Sequence, residues 1–138
     1  MASLIYNSAI DDMARGAIDY DTDSFKAMLV TSAYTPNKDT DNRRDDVTNE
    51  VSGTGYTAGG VASVCTVTKD TANDRVTLQF AAVSWASSTI TARALVIYKS
   101  TGGAASTDAL VAYNDFGSDV ASSGGTFSVA ASTVTLQN

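Results

Sequence analysis

The side chains most often used for acid–base chemistry and metal binding are sparse in this chain. It has no histidine, so the commonest general base and metal ligand is missing. Ser-His-Asp and Cys-His nucleophile arrangements cannot be assembled. What remains is the acidic run Asp19-Tyr-Asp-Thr-Asp23, a lone Cys65, the glycines Gly53, Gly55, Gly59 and Gly60, and the pair Arg43-Arg44 beside Asp45. Alternating carboxylates suggest calcium, yet a twelve-residue calcium loop opened at Asp19 needs Gly where Ser24 stands and Glu where Val30 stands. These acids therefore read as turn residues that cap local N–H groups. The glycine spacing fits neither GxGxxG nor GxxxxGK[ST], and no helix follows it. Paired carboxylates could in principle serve glycoside hydrolysis, but only Tyr20 accompanies the three acids in sequence. Cys65 alternates with Val61 and Val67, which makes it a small core residue. Trp85, Tyr98, Tyr113 and Phe116 could form a sugar platform; aromatic residues of β-sandwiches more commonly face the core. No enzymatic activity, cofactor or metal is expected.

The elements that would position these residues are mostly strands. Ser3–Arg15 reads as a helix, with Ser3 as N-cap, Ile5, Ala9 and Met13 along a narrow face, and Gly16 as the terminating glycine. Phe25, Ala27 and Leu29 mark a strand over 24–31 whose other face, Lys26, Met28 and Val30, is only half polar. Asp39–Glu50 is a charged loop with a short helix near Asp45, and its Arg43 and Arg44 read as solvated partners of Asp41, Asp45 and Asp46. Residues 61–69 and 75–82 read as a hairpin, with Val76, Leu78 and Phe80 inward and Thr77 and Gln79 outward. Ile90–Lys99 is apolar on both faces and should be a central strand. Ala109–Phe116 follows, and the last strand changes phase between Ala131 and Val134, which marks a bulge or break. The expected fold is a single all-β domain over 1–138, a β-sandwich of jelly-roll-like character, with a helical appendage at 1–16.

Composition narrows the function classes. Fifteen acids against nine bases give a formal charge of −6, which disfavours nucleic acid as a partner. Ten of those acids lie in residues 1–50, leaving a β-portion rich in Ser, Thr, Ala and Gly with few charges. Such a surface offers little electrostatic resistance to close approach by neighbours. A single cysteine cannot make an internal disulfide. No signal peptide or bilayer-spanning run is expected, so the chain reads as cytoplasmically made with no membrane partner.

The phrases FKAMLVTSAYTPNKDTD, VTNEVSGTGYTAGG, VSWASSTITARALVIY and ALVAYNDFG, in that order between about Asp19 and Phe127, resemble a family of small virion proteins of tailed bacteriophages and prophages. Cys65, Ala86 and Ala130 depart from the residues expected there. The resemblance implies a head decoration (cement) protein on the capsid exterior, with the major capsid protein and copies of itself, as a dimer or trimer, for partners. The alternative it leaves open is a tail or tail-tip component, with carbohydrate or receptor binding. The expected contact elements are the helix, through Ile5, Ala9 and Met13, and the charged loop, through Arg43, Arg44 and Asp45.

Overall fold

Thr91–Lys99, the longest apolar run, lies in the middle of the fold because both of its faces must leave water. In the computed structural model, which describes residues 2–138, the elements in chain order are β1 (Leu4–Ile5), α1 (Asn7–Ala14), β2 (Phe25–Val30), β3 (Val61–Ala62), β4 (Cys65–Asp70), β5 (Arg75–Phe80), β6 (Val83–Ser88), β7 (Thr91–Lys99), β8 (Leu110–Ala121), β9 (Gly125–Val129) and β10 (Ser132–Gln137). Single 3₁₀ turns occur at Arg44–Asp46 and Ala105–Thr107. The strands form an antiparallel five-stranded sheet in the order β1-β8-β7-β2-β3, a three-stranded sheet β10-β5-β4 and a ribbon β6-β9. The all-β expectation holds: 47% of the chain is strand.

The five-stranded sheet separates two cores. On one face Phe25, Ala27, Leu29, Leu95 and Ile97 meet Leu78 and Phe80 of the three-stranded sheet and Val83, Trp85, Phe127 and Val129 of the ribbon. On the other face Met28, Val30, Val96, Tyr98, Leu110 and Tyr113 are covered by Tyr6, Tyr34, Leu4 and Val47. Met28 and Val30, read from sequence as a half-polar face, are thus fully inside.

One departure from the sequence reading, at the expected hairpin, has a physical cause. Residues 61–69 are not one hairpin arm. The chain leaves the large sheet at Ser63, whose N–H donates to Phe25 O (3.0 Å) and whose hydroxyl donates to Ala81 O (2.8 Å), and resumes as β4 in the small sheet. The phase change after Ala131, read as a bulge or break, is a break, where the chain changes sheet from β9 to β10. The Ser- and Thr-rich stretch after Trp85 continues strand β6, bulged between Trp85 and Ser88, with Ser87 at φ +49°. On β7 the register shifts between Ala92 and Ala94, so Ala92 packs on the opposite core from Ala94 and Val96.

The glycine-rich stretch before β3 is fixed by close approach. A Cβ on Gly60 (φ +75°) would fall 1.9 Å from Ala27 O of the central sheet. Gly124 (φ +67°) faces open space. Gly60→Ala is therefore expected to cost about 3 kcal/mol or more, against about 1 kcal/mol for Gly124→Ala, which suffers only the left-handed backbone penalty. Urea unfolding midpoints of the two variants would check the order.

Candidate functional site

The loop residues proposed as contacts lie over the second core, where irregular backbone is buried and each polar group needs a partner. β1 pairs Ile5 with Ala112 and Leu4 with Tyr113. Ser3 does not cap the helix. Its Oγ instead accepts the Asp115 N–H at 2.9 Å, pinning the start of the chain along β8. Helix α1 begins at Asn7, without a side-chain cap. It ends as read from sequence: Gly16 at φ +75° donates to Met13 O (3.1 Å), and Ala17 N–H reaches back to Asp12 O (2.7 Å).

The buried face of α1 runs through Ala9 and Asp12, next to Tyr6, which is fully buried. Met13 and Ile5 are half-buried. Ile10 is the apolar side chain left outside, at 53% exposure. The segment 2–16 is consequently a wall of the second core and not an appendage, and Ala9 is inaccessible to a partner. Removing residues 1–16 should uncover Met28, Val96 and Tyr113 and leave no cooperatively folded domain. Circular dichroism melting of the truncated chain would check this, and a sharp transition would contradict it.

Arg43 and Arg44 are not the solvated residues expected from their neighbours. Arg43 Nη1 donates to Asp12 Oδ2 of α1 at 2.9 Å. Arg44 Nε donates to Asp108 Oδ2 at 2.8 Å, and its guanidinium carbon lies 5.1 Å from the Tyr98 ring centroid. The other Asp108 oxygen accepts the Thr101 N–H and hydroxyl, both at 2.8 Å. Burial opposes the charge on Asp108, but the Thr101 donors and Arg44 outweigh it and hold the carboxyl below its ordinary value. Asp46 caps its own turn, accepting the N–H groups of Asn42 (2.8 Å) and Arg43 (3.1 Å). Asp45 alone among the six expected contact residues is exposed to solvent.

Two tyrosine networks, neither read from sequence, lock the same loops. Tyr6 and Tyr34 hydroxyls are 2.9 Å apart, and Tyr34 donates to Asp41 Oδ2 at 2.8 Å. Burial, then the bond to Tyr6, then Asp41, raise the Tyr34 phenol far above its ordinary range. Glu50 Oε1 accepts the Tyr56 hydroxyl (2.7 Å) and the Gly59 N–H (2.6 Å), while Tyr98 OH donates to Gly59 O at 2.5 Å. Tyr56 OH in turn accepts the Leu29 N–H at 3.0 Å. The glycine-rich stretch is thereby tied to the central sheet by its own acid and tyrosine.

The carboxylates of the 19–23 run do not converge on one point. Asp19 accepts the Asp21 N–H (3.0 Å), Asp23 accepts the Asp19 N–H (2.8 Å) and pairs with Lys99 (2.9 Å). Cys65 is buried in β4, and burial pushes its thiol up to about 11. Trp85, Tyr98 and Tyr113 are buried and Phe116 is half-buried, so the four form no exposed platform. The Trp85 indole N–H finds no acceptor among the described residues. An open groove of about 510 Å³ runs between the β1/β8 edge and β10, past Ile5, Ile97, Ala112 and Val134.

Across the large sheet Arg93 Nε donates to Asp115 Oδ1 at 2.7 Å, and Asp115 also accepts the Gly117 N–H. Arg93 first, then that N–H, lower the Asp115 carboxyl to about 2. Asp108 and Asp115 thus bind protons more weakly folded than unfolded. Their contribution to stability is complete above the unfolded value near 4 and is lost as pH falls through their lowered folded values, about 2 for Asp115. Asp115→Asn should flatten the pH dependence of the urea midpoint between about pH 4 and pH 2; an unchanged slope would remove the Arg93 pair as its source.

Comparison with protein families, with curated proteins and with solved structures finds no match to this chain.

Proposed function

We propose that the chain is a structural protein of a phage particle, most specifically a head decoration protein that seats on the outer surface of the capsid lattice. What carries this reading is the resemblance of the ordered phrases to those of small virion proteins, and their positions in the fold suit a structural role. VTNEVSGTGYTAGG holds Glu50, Tyr56, Gly59 and Gly60 of the network described above, and VSWASSTITARALVIY holds the ribbon strand β6 and central strand β7. The charged side chains best suited to chemistry are engaged in internal pairs: Arg43 to Asp12, Arg44 to Asp108 and Lys99 to Asp23 hold loops, and Arg93 to Asp115 joins neighbouring strands.

The mechanism follows from linkage. A domain that binds only the assembled shell stabilises it by mass action, and many copies multiply the effect. A preformed sandwich with anchored loops orders little on seating, so less of the contact free energy is offset by lost conformational freedom.

The test uses particles produced with and without the gene for this chain. Hundreds of copies on heads, and release of DNA at lower temperature from the depleted particles, are expected. Release curves that coincide would reject the decoration role. A handful of copies confined to the tail would replace it with the tail reading.

A further inference from the structure

Strand β10 is an open sheet edge of unusual sequence. It pairs with β5 without a register break, from Ser132–Phe80 to Gln137–Arg75, and nothing pairs with its other side among the described residues. The ladder's bonds fix which backbone groups face outward. Asn138 N–H donates to Asp74 O, and Ala81 N–H donates to Val64 O on the far side of β5. Alternation along an antiparallel ladder then turns the N–H and C=O of Thr133, Thr135 and Gln137 away from β5, toward the open edge.

Other edges are protected in ways β10 is not. β1 and β3 are two residues long. β4 carries Lys69 and Asp70, and the β6–β9 ribbon is bulged. Short edges, edge lysines and bulges all discourage pairing with another chain. Residues 130–138, Ala-Ala-Ser-Thr-Val-Thr-Leu-Gln-Asn, contain no charged side chain and no proline.

We infer that β10 is a self-association edge, pairing antiparallel with β10 of a second copy to make one six-stranded sheet across a two-fold axis. Three features select a second copy as the occupant. First, the strand is self-complementary. Val134 and Leu136 share the face that packs on the core and Thr133 and Thr135 the other, so antiparallel self-pairing sets apolar beside apolar and Thr beside Thr. Second, a chain of charge −6 repels its copy, and this edge brings no carboxylates together. The acidic tip of the β4–β5 hairpin, Asp70 and Asp74, lies beyond one end of β10, so the two-fold sends the two tips to opposite ends of the pair. Third, the groove of about 510 Å³ beside β10, with Ile5, Ile97 and Ala112 on its far wall, offers a seat for the partner strand's Val134 and Leu136. The inference is independent of the capsid reading.

The test is sedimentation equilibrium of the purified chain over a concentration series, with Thr135→Pro and Lys69→Pro. The wild type is expected to approach twice the 14.3 kDa of the chain. Proline at 135 removes an outward N–H and leaves the β5 ladder intact, a placement edge strands tolerate. It should weaken association at least about tenfold, from the loss of inter-strand hydrogen bonds and of strand fit. Proline at 69 removes the matching outward N–H of the opposite edge and should leave association unchanged. Concentration-dependent protection of the Thr133 and Thr135 amides from hydrogen exchange in the wild type gives a reading that needs no variant to fold. A wild type that stays monomeric with these amides unprotected overturns the inference and frees the groove for a strand of another protein. A dimer abolished by Lys69→Pro but not by Thr135→Pro overturns it as well.

Discussion

The whole structure depends on one constraint: β2 and β7 are apolar on both faces, so their sheet needs a cover on each side. The chain has regular strands for only one of those covers. The other is made from Tyr6, α1 and the loop between β2 and β3, which is to say largely from irregular backbone. Burying such backbone is costly unless its N–H and C=O groups and side chains find partners. That requirement explains why the polar networks concentrate where they do. Tyr6, Tyr34 and Asp41 join the N-terminal segment to the loop. Arg44, Asp108 and Thr101 join the loop to the β7–β8 connection. Glu50, Tyr56 and Gly59 join its far end to β2.

Where hydrophobic period and strand coincide, the sequence was legible. Val76, Leu78 and Phe80 alternate with Thr77 and Gln79 as the ladder requires, and Gly16 ends the helix with the expected bonds. The second core was legible only in part. Met28 and Val30 announced a second apolar face, but nothing in the local pattern says that Tyr6 and Tyr34, twenty-eight residues apart, share a hydrogen bond beneath it. The arginines misled for a related reason. Arg43 and Arg44 have three acids within three residues, yet their partners are Asp12 and Asp108, chosen by folding and not by proximity in sequence. The change of sheet at Ser63 leaves Val61, Cys65 and Val67 in one unbroken period, and the change after Ala131 leaves a slip that alone does not distinguish a bulge from a corner.

The candidate contact residues show the same division. Asp45 remains accessible, Ile5 borders the open groove, and Arg43 and Arg44 hold the loop that carries Asp45. A loop fixed from three directions presents its exposed carboxylates in one arrangement. That property suits a surface that must match a repeating neighbour, because it reduces the ordering needed at each seat.

The two cores also differ in their chromophores. The only tryptophan, Trp85, sits in the core between the sheets, beside Tyr56 and Phe127, with its indole N–H unpaired among the described residues. The opposite core holds Tyr6, Tyr34, Tyr98 and Tyr113 and no tryptophan. Indole emission therefore reports on one face of the central sheet, and the near-ultraviolet dichroism of tyrosine reports largely on the other. An indole in apolar surroundings without an acceptor emits at short wavelength, and its red shift on solvent entry marks the parting of the two sheets. The fold thus carries two internal optical probes, one per face, by which loosening of the loop-built cover is distinguishable from opening of the sandwich.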